Sequence, residues 1–465
     1  MTSTSTVSTV ETAVLTEWAS SLKWSELPEP VKSAAALHFL DALGVGVAVA
    51  ATPFGSRLIS RVATEDAGPA PLIGSDLRVD ELRAALVNGT LIHGLEYDDT
   101  HISSVIHGSA VALPAVLSQV HRDGVTVADL MAGFAAGWEV LVRLGLLAPG
   151  AYQARGFQTA AVCGPPAAAL AAGRLRGSDP RVLDAAFAVA TSFSSGLMAY
   201  AQDGATVKRA HLGWAAHGGV AAVDLAEGGL TGPGRPLRAE NGFLAVLAGG
   251  TEHAHVDGVL NDIGQRWYLP DVSFKLYPVC HYIHSYLDAL LDLRARHDPA
   301  TVGAIECEVH PAVVPVIADN PEQRRRPRTF EEAQYSLFYC AAQMFVYGHC
   351  DLEDLGDAQD GEVLAFAERV RAVVNPDMEY PGLFPAVVRV LDDNGTVLEE
   401  LSIKGPHGAT MAQQDLADVV RQKFVQNTAP TWGEERARSM FDRLRDVDAH
   451  AGEPAVRWWR EAGPA

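Results

Sequence analysis

The sequence predicts a mainly α-helical protein: a large all-helical domain built from both chain ends, carrying a smaller inserted α+β domain. Three observations predict it. Apolar residues recur at helical spacing through the first 265 residues, where strand signals are nearly absent. The pattern then changes near Asp271, and a strong hairpin signal follows at Asn394-Gly395. After "KGPHG" helical periodicity returns. The expected boundaries are 1–270 with 406–465 for the helical domain and 271–405 for the insert, a lid over it. A chain of 465 residues is long enough for two or three domains.

In order along the chain, residues 8–22 and 29–50 read as helices, punctuated by Pro28 and Pro30. Further helices are expected over 80–97, 109–121, 126–148, 158–175, 180–202 and 213–226. Stretches such as "MAGFAAGWEVL" and "GPPAAALAAG" are rich in Ala and Gly, which lets helix backbones approach closely. In the insert, "AIECEVHPAVVPVI" (304–317) alternates like a strand, and "FEEAQYSLFYCAAQMFVYG" (330–348) reads as one long apolar helix. Residues 362–374 read as another helix, 386–403 as the hairpin, and 412–426 and 433–446 as helices.

Composition excludes several function classes. With 48% hydrophobic and 20% charged residues, and a mean hydropathy near zero, the chain reads as globular. A net charge of −21 argues against nucleic acid, whose phosphates require clustered cations. The basic run Arg324, Arg325, Arg326, Arg328 reads as a solvated or ion-pairing surface. Five scattered cysteines show no CxxC pairing, which fits a reducing cytoplasm. The N-terminus shows no secretion signal, and no uncharged apolar run has membrane-spanning length. A cytoplasmic location is expected.

Four clusters could carry chemistry. "HGLEYDDTHISSVIHGSA" holds His93, Glu96, Asp98, Asp99, Thr100, His101 and His107. Asp98, Asp99 and Thr100 also suit helix capping, and His with carboxylates could hold a metal, although the spacing matches no ligand pattern. "DGATVKRAHLGWAAHGG" places Lys208 before an Ala/Gly-rich helix. "SFKLYPVCHYIHSYLDAL" places Lys275, Cys280, His281 and His284 at the expected domain junction, with His284 a core residue. Tyr339 lies in "YSLFYCAAQM", where an aromatic is ordinarily core. Nucleotide, phosphoryl, acyl-serine and zincin motifs are all missing from the sequence. What remains suits proton transfer next to a carboxylate: ammonium groups neutralise the charge that develops, and an imidazole moves the proton.

Taken together, "NGTLIHGLEYDDTH" with its following His, "RGFQTAAVCGPPAAALAA", "SSGLMAYAQDGATVKRAHLGWAAHGGVAA", "SFKLYPVCHYIHSYLDA" and "YSLFY" resemble the MmgE/PrpD family, in the family's order and over essentially the whole chain. The resemblance implies a homodimeric, metal-free and cofactor-independent enzyme of small polycarboxylates, in a family that includes 2-methylcitrate dehydratase, cis-aconitate decarboxylase and iminodisuccinate epimerase. It implies His107 as the catalytic His, supported by Glu96 and Thr100, with Lys208, Lys275 and Tyr339 as active-site lysines and tyrosine. Substrate contacts are expected from Lys208, Lys275, His281 and Gln158. Four departures stand out: Glu96 in place of Asp, one extra residue between Thr100 and His107, Cys280 in place of a second His, and Gln158 in place of His. Dehydration is therefore preferred over decarboxylation, with epimerisation of an imino- or amino-dicarboxylate as the alternative. A metal-dependent hydrolase and a non-catalytic homologue are the readings from other classes.

Overall fold

The computed structural model describes residues 10–462 except 63–67, 203–204, 251–255, 357 and 381. It is mainly helical. The largest apolar core joins residues from Leu15 through Phe274 with residues from Ala417 through Trp459. A separate core runs from Val279 through Val390. The chain leaves one core between Phe274 and Val279, and returns between Val390 and Ala417.

In the first core, helix Lys208–Glu227 lies against Thr159–Arg176, Glu81–Ile92 and Pro180–Ala190. The small residues are required there. A Cβ on Gly213 would sit 2.1 Å from the Leu86 carbonyl oxygen, and one on Gly89 would sit 2.5 Å from Gly213 Cα. Backbone-to-backbone crossing at this point fixes the direction of the helix that begins at Lys208.

Helix Glu29–Ala51 is long and apolar enough to span a membrane by length and composition, but it is mostly buried in this core against Gln413–Trp432. It carries two buried polar groups, His38 and Asp41. His38 Nδ1 lies 2.8 Å from Asp99, and Asp41 pairs with Lys423 at 2.7 Å. Lys423 Nζ also donates to the Tyr97 carbonyl at 2.7 Å. Two distant helices thus grip the 97–99 backbone.

The second core packs helices His281–Arg294 and Leu337–Tyr347 beside a four-stranded sheet. Two two-residue strands, β1 (Ala70–Pro71) and β2 (Arg78–Val79), form a minor ribbon in the first core that hydropathy did not signal. The sheet contains β3 (Ala304–Val309), β4 (Val370–Val374), β5 (Ala386–Leu391) and β6 (Val397–Ile403), in the order β4-β3-β5-β6. The β3–β4 pair is parallel, and the other pairs are antiparallel. The expected hairpin is β5–β6, with Gly395 at φ +83° in its turn.

Several element boundaries differ from expectation. Helix Glu81–Ile92 stops before the histidine-rich segment, and Pro180–Ala190 stops before residue 202. The alternating run ends at Val309, followed by the short helix Val314–Ile317. Residues 362–374 divide into helix Gly361–Ala367 and strand β4, because Val370–Val374 pairs with β3. The long helix expected over 330–348 is two helices, Phe330–Gln334 and Leu337–Tyr347. Ser336 breaks it, accepting the Tyr339 N–H through Oγ at 3.0 Å as an N-cap.

Candidate active site

Residues 93–108 lie between helices Glu81–Ile92 and Ser109–Leu117, and tertiary bonds rather than helix geometry give them their shape. Asp99 caps the second helix, accepting from Ser109 N at 3.3 Å and Ser109 Oγ at 2.6 Å. Thr100 exchanges both backbone hydrogen bonds with Ser273, each 2.9 Å. That bridge brings the segment containing Lys275 alongside the segment containing Glu96.

Glu96 has φ +54°, a left-handed conformation that costs a non-glycine residue energy and is held here by its bonds. Lys275 Nζ donates to its Oε1 at 2.7 Å and to its carbonyl at 3.0 Å. Lys208 Nζ donates to the other carboxylate oxygen, Oε2. Tyr335 O–H donates to Oε2 at 2.7 Å and accepts from Lys208 at 2.7 Å. Burial alone would raise the Glu96 carboxyl, but Lys208 and then Lys275 hold it well below its ordinary value. One carboxylate against two ammonium groups leaves one net positive charge. Lys208 is also the first residue of its helix, where the positive end of the helix dipole adds to the attraction for anions.

His107 Nδ1 lies 3.0 Å from both the Asp99 carbonyl and Thr100 Oγ1. A carbonyl only accepts, so Nδ1 carries the proton and Nε2 keeps the lone pair. Burial, reinforced by Lys275 and Lys208 and opposed by Asp98, pushes the imidazole down to about 3. His107 is therefore neutral at physiological pH. Its ring lies 5.1 Å from that of His93. His93 Nδ1 is held by Asp98 at 2.8 Å, and its Nε2 lies 3.1 Å from the Gln158 amide nitrogen. Gln158 Oε1 in turn lies 2.8 Å from His211 Nδ1. The Gln158 amide is thus spent on the two histidines.

These groups border a cleft with a cavity volume of about 400 Å³, lined by Glu96, Thr100, His107, Gln158, Lys208, Cys280, His281 and Tyr335 among others. A second space shares Glu96, Lys208 and Tyr335 and reaches Arg209 and Arg324. His281 Nε2 lies 3.1 Å from Ser273 Oγ, while its Nδ1 is buried without a hydrogen bond. Burial, then His284, keeps His281 well below its ordinary pKa. Burial pushes the Cys280 thiol up to about 11, so it is a neutral wall group. All five cysteines are free and buried.

Two other expectations can be placed. His284 packs behind His281, with ring centroids 4.6 Å apart, and does not line the cleft. His101 is bonded to Ser104 at 2.7 Å and buried, a structural residue of its loop. Among the described residues, the His and carboxylate atoms close enough to share an ion are those of the surface trio His349, Asp351 and Asp354. The 93–107 groups instead pair with protein partners.

Tyr339 requires a correction. It is fully buried, and its hydroxyl donates to the Asp354 carbonyl at 3.2 Å, so it stays in the second core. The tyrosine beside Glu96 and Lys208 is Tyr335. A continuous helix would have made Tyr335 and Tyr339 neighbours on one face. The Ser336 cap breaks that helix, and Arg324 fixes the Tyr335 carbonyl at 2.7 Å. The cap was legible in the sequence as a Ser within the apolar run. The basic run is an ion-pairing surface: Arg326 meets Glu368 at 2.9 Å and Arg328 meets Glu332 at 2.7 Å.

The fold and cleft thus define a helical protein with a neutral imidazole and two ammonium groups gathered around one carboxylate. Comparison with known proteins gives the family. The MmgE/PrpD N-terminal domain matches residues 13–255, and the MmgE/PrpD C-terminal domain matches residues 277–446. The chain belongs to the MmgE/PrpD family. It is 28% identical to the cis-aconitate decarboxylase-like protein oryM of Aspergillus oryzae over 462 residues, covering 95% of each chain. It is 28% identical to cis-aconitate decarboxylase of Aspergillus terreus, covering 94% of this chain and 93% of that one. The human cis-aconitate decarboxylase is 26% identical, covering 80% of this chain and 78% of the relative.

Proposed function

We propose that this protein is a cofactor-independent lyase that decarboxylates a cis-aconitate-like polycarboxylate at the Glu96–Lys208–Lys275–His107 cluster. One observation carries the reading: Lys208 and Lys275 converge on a single carboxylate at the edge of a cleft that His107 also lines. A substrate carboxylate is drawn by the net positive charge. When the bond to the leaving carboxylate breaks, its electron pair passes to carbon and spreads into a neighbouring carboxylate, and CO₂ departs. The two ammonium groups stabilise that developing charge. A proton from His107 Nε2 then closes the carbon, and solvent supplies it. Burial holds the imidazole down first and the lysine charges add to it; incoming carboxylates offset the lysine part and so promote protonation of His107.

Dehydration is the second reading, and the neutral state of His107 favours it. A lone-pair Nε2 suits removal of a proton next to a carboxylate, with the Tyr335 O–H as donor to the departing hydroxyl. The proposal extends to architecture. The 271–405 unit acts as a lid over the first core, contributing Tyr335 and His281 to the cleft. The working unit is a homodimer, supported by the exposed Val207, Trp214 and Leu225, which fall on one face at the spacing of helix Lys208–Glu227.

The test is NMR in D₂O with cis-aconitate, citrate, 2-methylcitrate and iminodisuccinate. Decarboxylation releases CO₂ and puts one deuterium on an end of the allylic carbanion that its loss leaves. Epimerisation washes deuterium in without loss of CO₂ or water. Lys208→Ala is expected to lower kcat/KM by at least about 100-fold with the fold intact by circular dichroism. Wild-type turnover in that variant would remove the assignment.

A further inference from the structure

The cleft is larger and less polar than a small polycarboxylate needs. Its cavity volume of about 400 Å³ lies within the roughly 300–1,000 Å³ that houses drug-sized ligands, which are bulkier than a small polycarboxylate. Away from the charged cluster Val105, Met198, Tyr282, Pro315, Val316 and Phe384 form an apolar stretch of the lining, with Gln153 and Thr159 as polar residues elsewhere on the wall. Tyr282 and Phe384 rings lie 4.5 Å apart, and the Tyr282 and Tyr380 hydroxyls lie 3.4 Å from each other. Val105 and Met198 are half-buried and belong to neither apolar core, and Val316 is half-buried at the edge of the second.

The charge count agrees. Among the described residues no arginine lines this cleft, and Lys208 is its one lining lysine, with Lys275 bonded behind Glu96. After Glu96 is neutralised a single net positive charge remains, enough to balance one substrate carboxylate and too little for three. A fully ionised tricarboxylate would set its other anionic groups against apolar walls, which is unfavourable. The backbone is also bent to present these walls. Val105 and Phe384 both have φ +52°, a conformation that β-branched and bulky residues seldom adopt. Val105 is forced there by the tight 101–106 turn, in which His101 and Ile106 exchange backbone bonds of 2.8 and 3.1 Å. Phe384 is held by its carbonyl accepting from Ser285 Oγ at 2.6 Å.

We propose that the substrate carries an apolar arm, an alkyl chain of several carbons on the polycarboxylate, seated among Val105, Met198, Tyr282, Val316 and Phe384. The proposal rests on the lyase reading for its charged end and adds the substrate class. Such an arm fills the apolar volume, excludes water from around His107, and reduces the number of carboxylates the cleft must neutralise.

Unreactive probes separate the subsite from the reaction. The series is succinate, butylsuccinate and octylsuccinate, measured by calorimetry on the wild-type enzyme and on Val316→Trp and Ala154→Phe, each of which narrows the cleft. Wild-type Kd is expected to fall about fourfold per methylene over the first four carbons. Each variant is expected to lose most of that gain, and either one that folds suffices. A Kd independent of chain length, or an undiminished gain in the variants, overturns the subsite. Alkyl-substituted cis-aconitates are then compared with cis-aconitate in turnover. Chain-dependent binding with no turnover of any member supports the subsite and removes the lyase reading. Turnover of cis-aconitate with chain-independent binding does the reverse.

Discussion

The two cores contribute unlike things to the cleft. The first supplies Glu96, Thr100, His107, Gln158 and Lys208, which are charged or hydrogen-bonding groups fixed by buried pairs behind them. The second region supplies Cys280, His281, Tyr282, Val316, Tyr335 and Phe384, which are neutral groups. Polar atoms suited to proton transfer are costly to misplace, and here buried partners hold the 93–108 segment while a helix start holds Lys208. Neutral walls tolerate change, and that is where a family can alter substrate size without altering chemistry.

If this contrast is right, the largest effect comes from the imidazole in the first core. His107→Gln is expected to lower kcat by roughly 10²–10⁴-fold, whereas His281→Gln, in the second core, should change it far less. Comparable losses in steady-state assays of both variants would break the division.

The Asp41–Lys423 pair that grips the Tyr97 carbonyl gives the next effect, on stability. Lys423→Ala leaves Asp41 buried without its partner and should destabilise the protein by about 3–5 kcal/mol in urea unfolding. Asp41 is already pushed up to about 6 by burial, against the pull of Lys423. A much smaller loss would mean that the 97–99 segment is held by its other bonds alone.

Tyr335 and Tyr339 sharpen the comparison within the second core. Tyr335→Phe removes a hydroxyl bonded to Lys208 and Glu96, and should lower kcat/KM roughly tenfold to a hundredfold. Tyr339→Phe should leave turnover within about threefold and cost about 1 kcal/mol of stability. The reverse ranking would restore Tyr339 to the cleft.

The gentlest probe is pH. Burial pushes His101 and His107 down to about 3 and His211 to about 4, and keeps His281 and His284 well below their ordinary values. Between about pH 6.5 and 4 the unfolded chain therefore binds protons that the folded protein refuses, and stability falls as pH drops. Asp41, raised to about 6, and the raised carboxyls of Glu139, Asp271 and Asp288 bind protons in the folded state and work the other way, while the depressed Glu81, Glu96 and Asp98 act with the five histidines at the acid end of that range. The urea midpoint should thus be lower at pH 5 than at pH 7.5. A midpoint that rises on acidification would contradict the neutral, buried state of these imidazoles.

Much of the fold was legible in the chain because helical periodicity is a local property. The first-core helices, the Asn394-Gly395 hairpin and the change of character near Asp271 all follow from spacing and turn chemistry within a few residues. Elements that depend on distant partners were misread. Val370–Val374 has helix-compatible residues and becomes a strand only because β3 lies beside it. The run 330–348 carries an unbroken apolar pattern and divides because the Ser336 cap and Arg324 compete with helix continuation.

The site shows the same boundary. Sequence context marked the clusters that hold His107, Glu96, Thr100, Lys208 and Lys275, because charged groups in small-residue or turn contexts are conspicuous, and the resemblance to the MmgE/PrpD family then singled out these five. It could not show that one Glu96 carboxylate receives both ammonium groups, since that contact joins residues 112 and 179 positions apart. Nor could it separate Tyr335 from Tyr339, four residues apart, because the choice lies in a helix break. Residue chemistry is written locally. Proximity, protonation and the breadth of the apolar wall arise only when distant segments exclude water together.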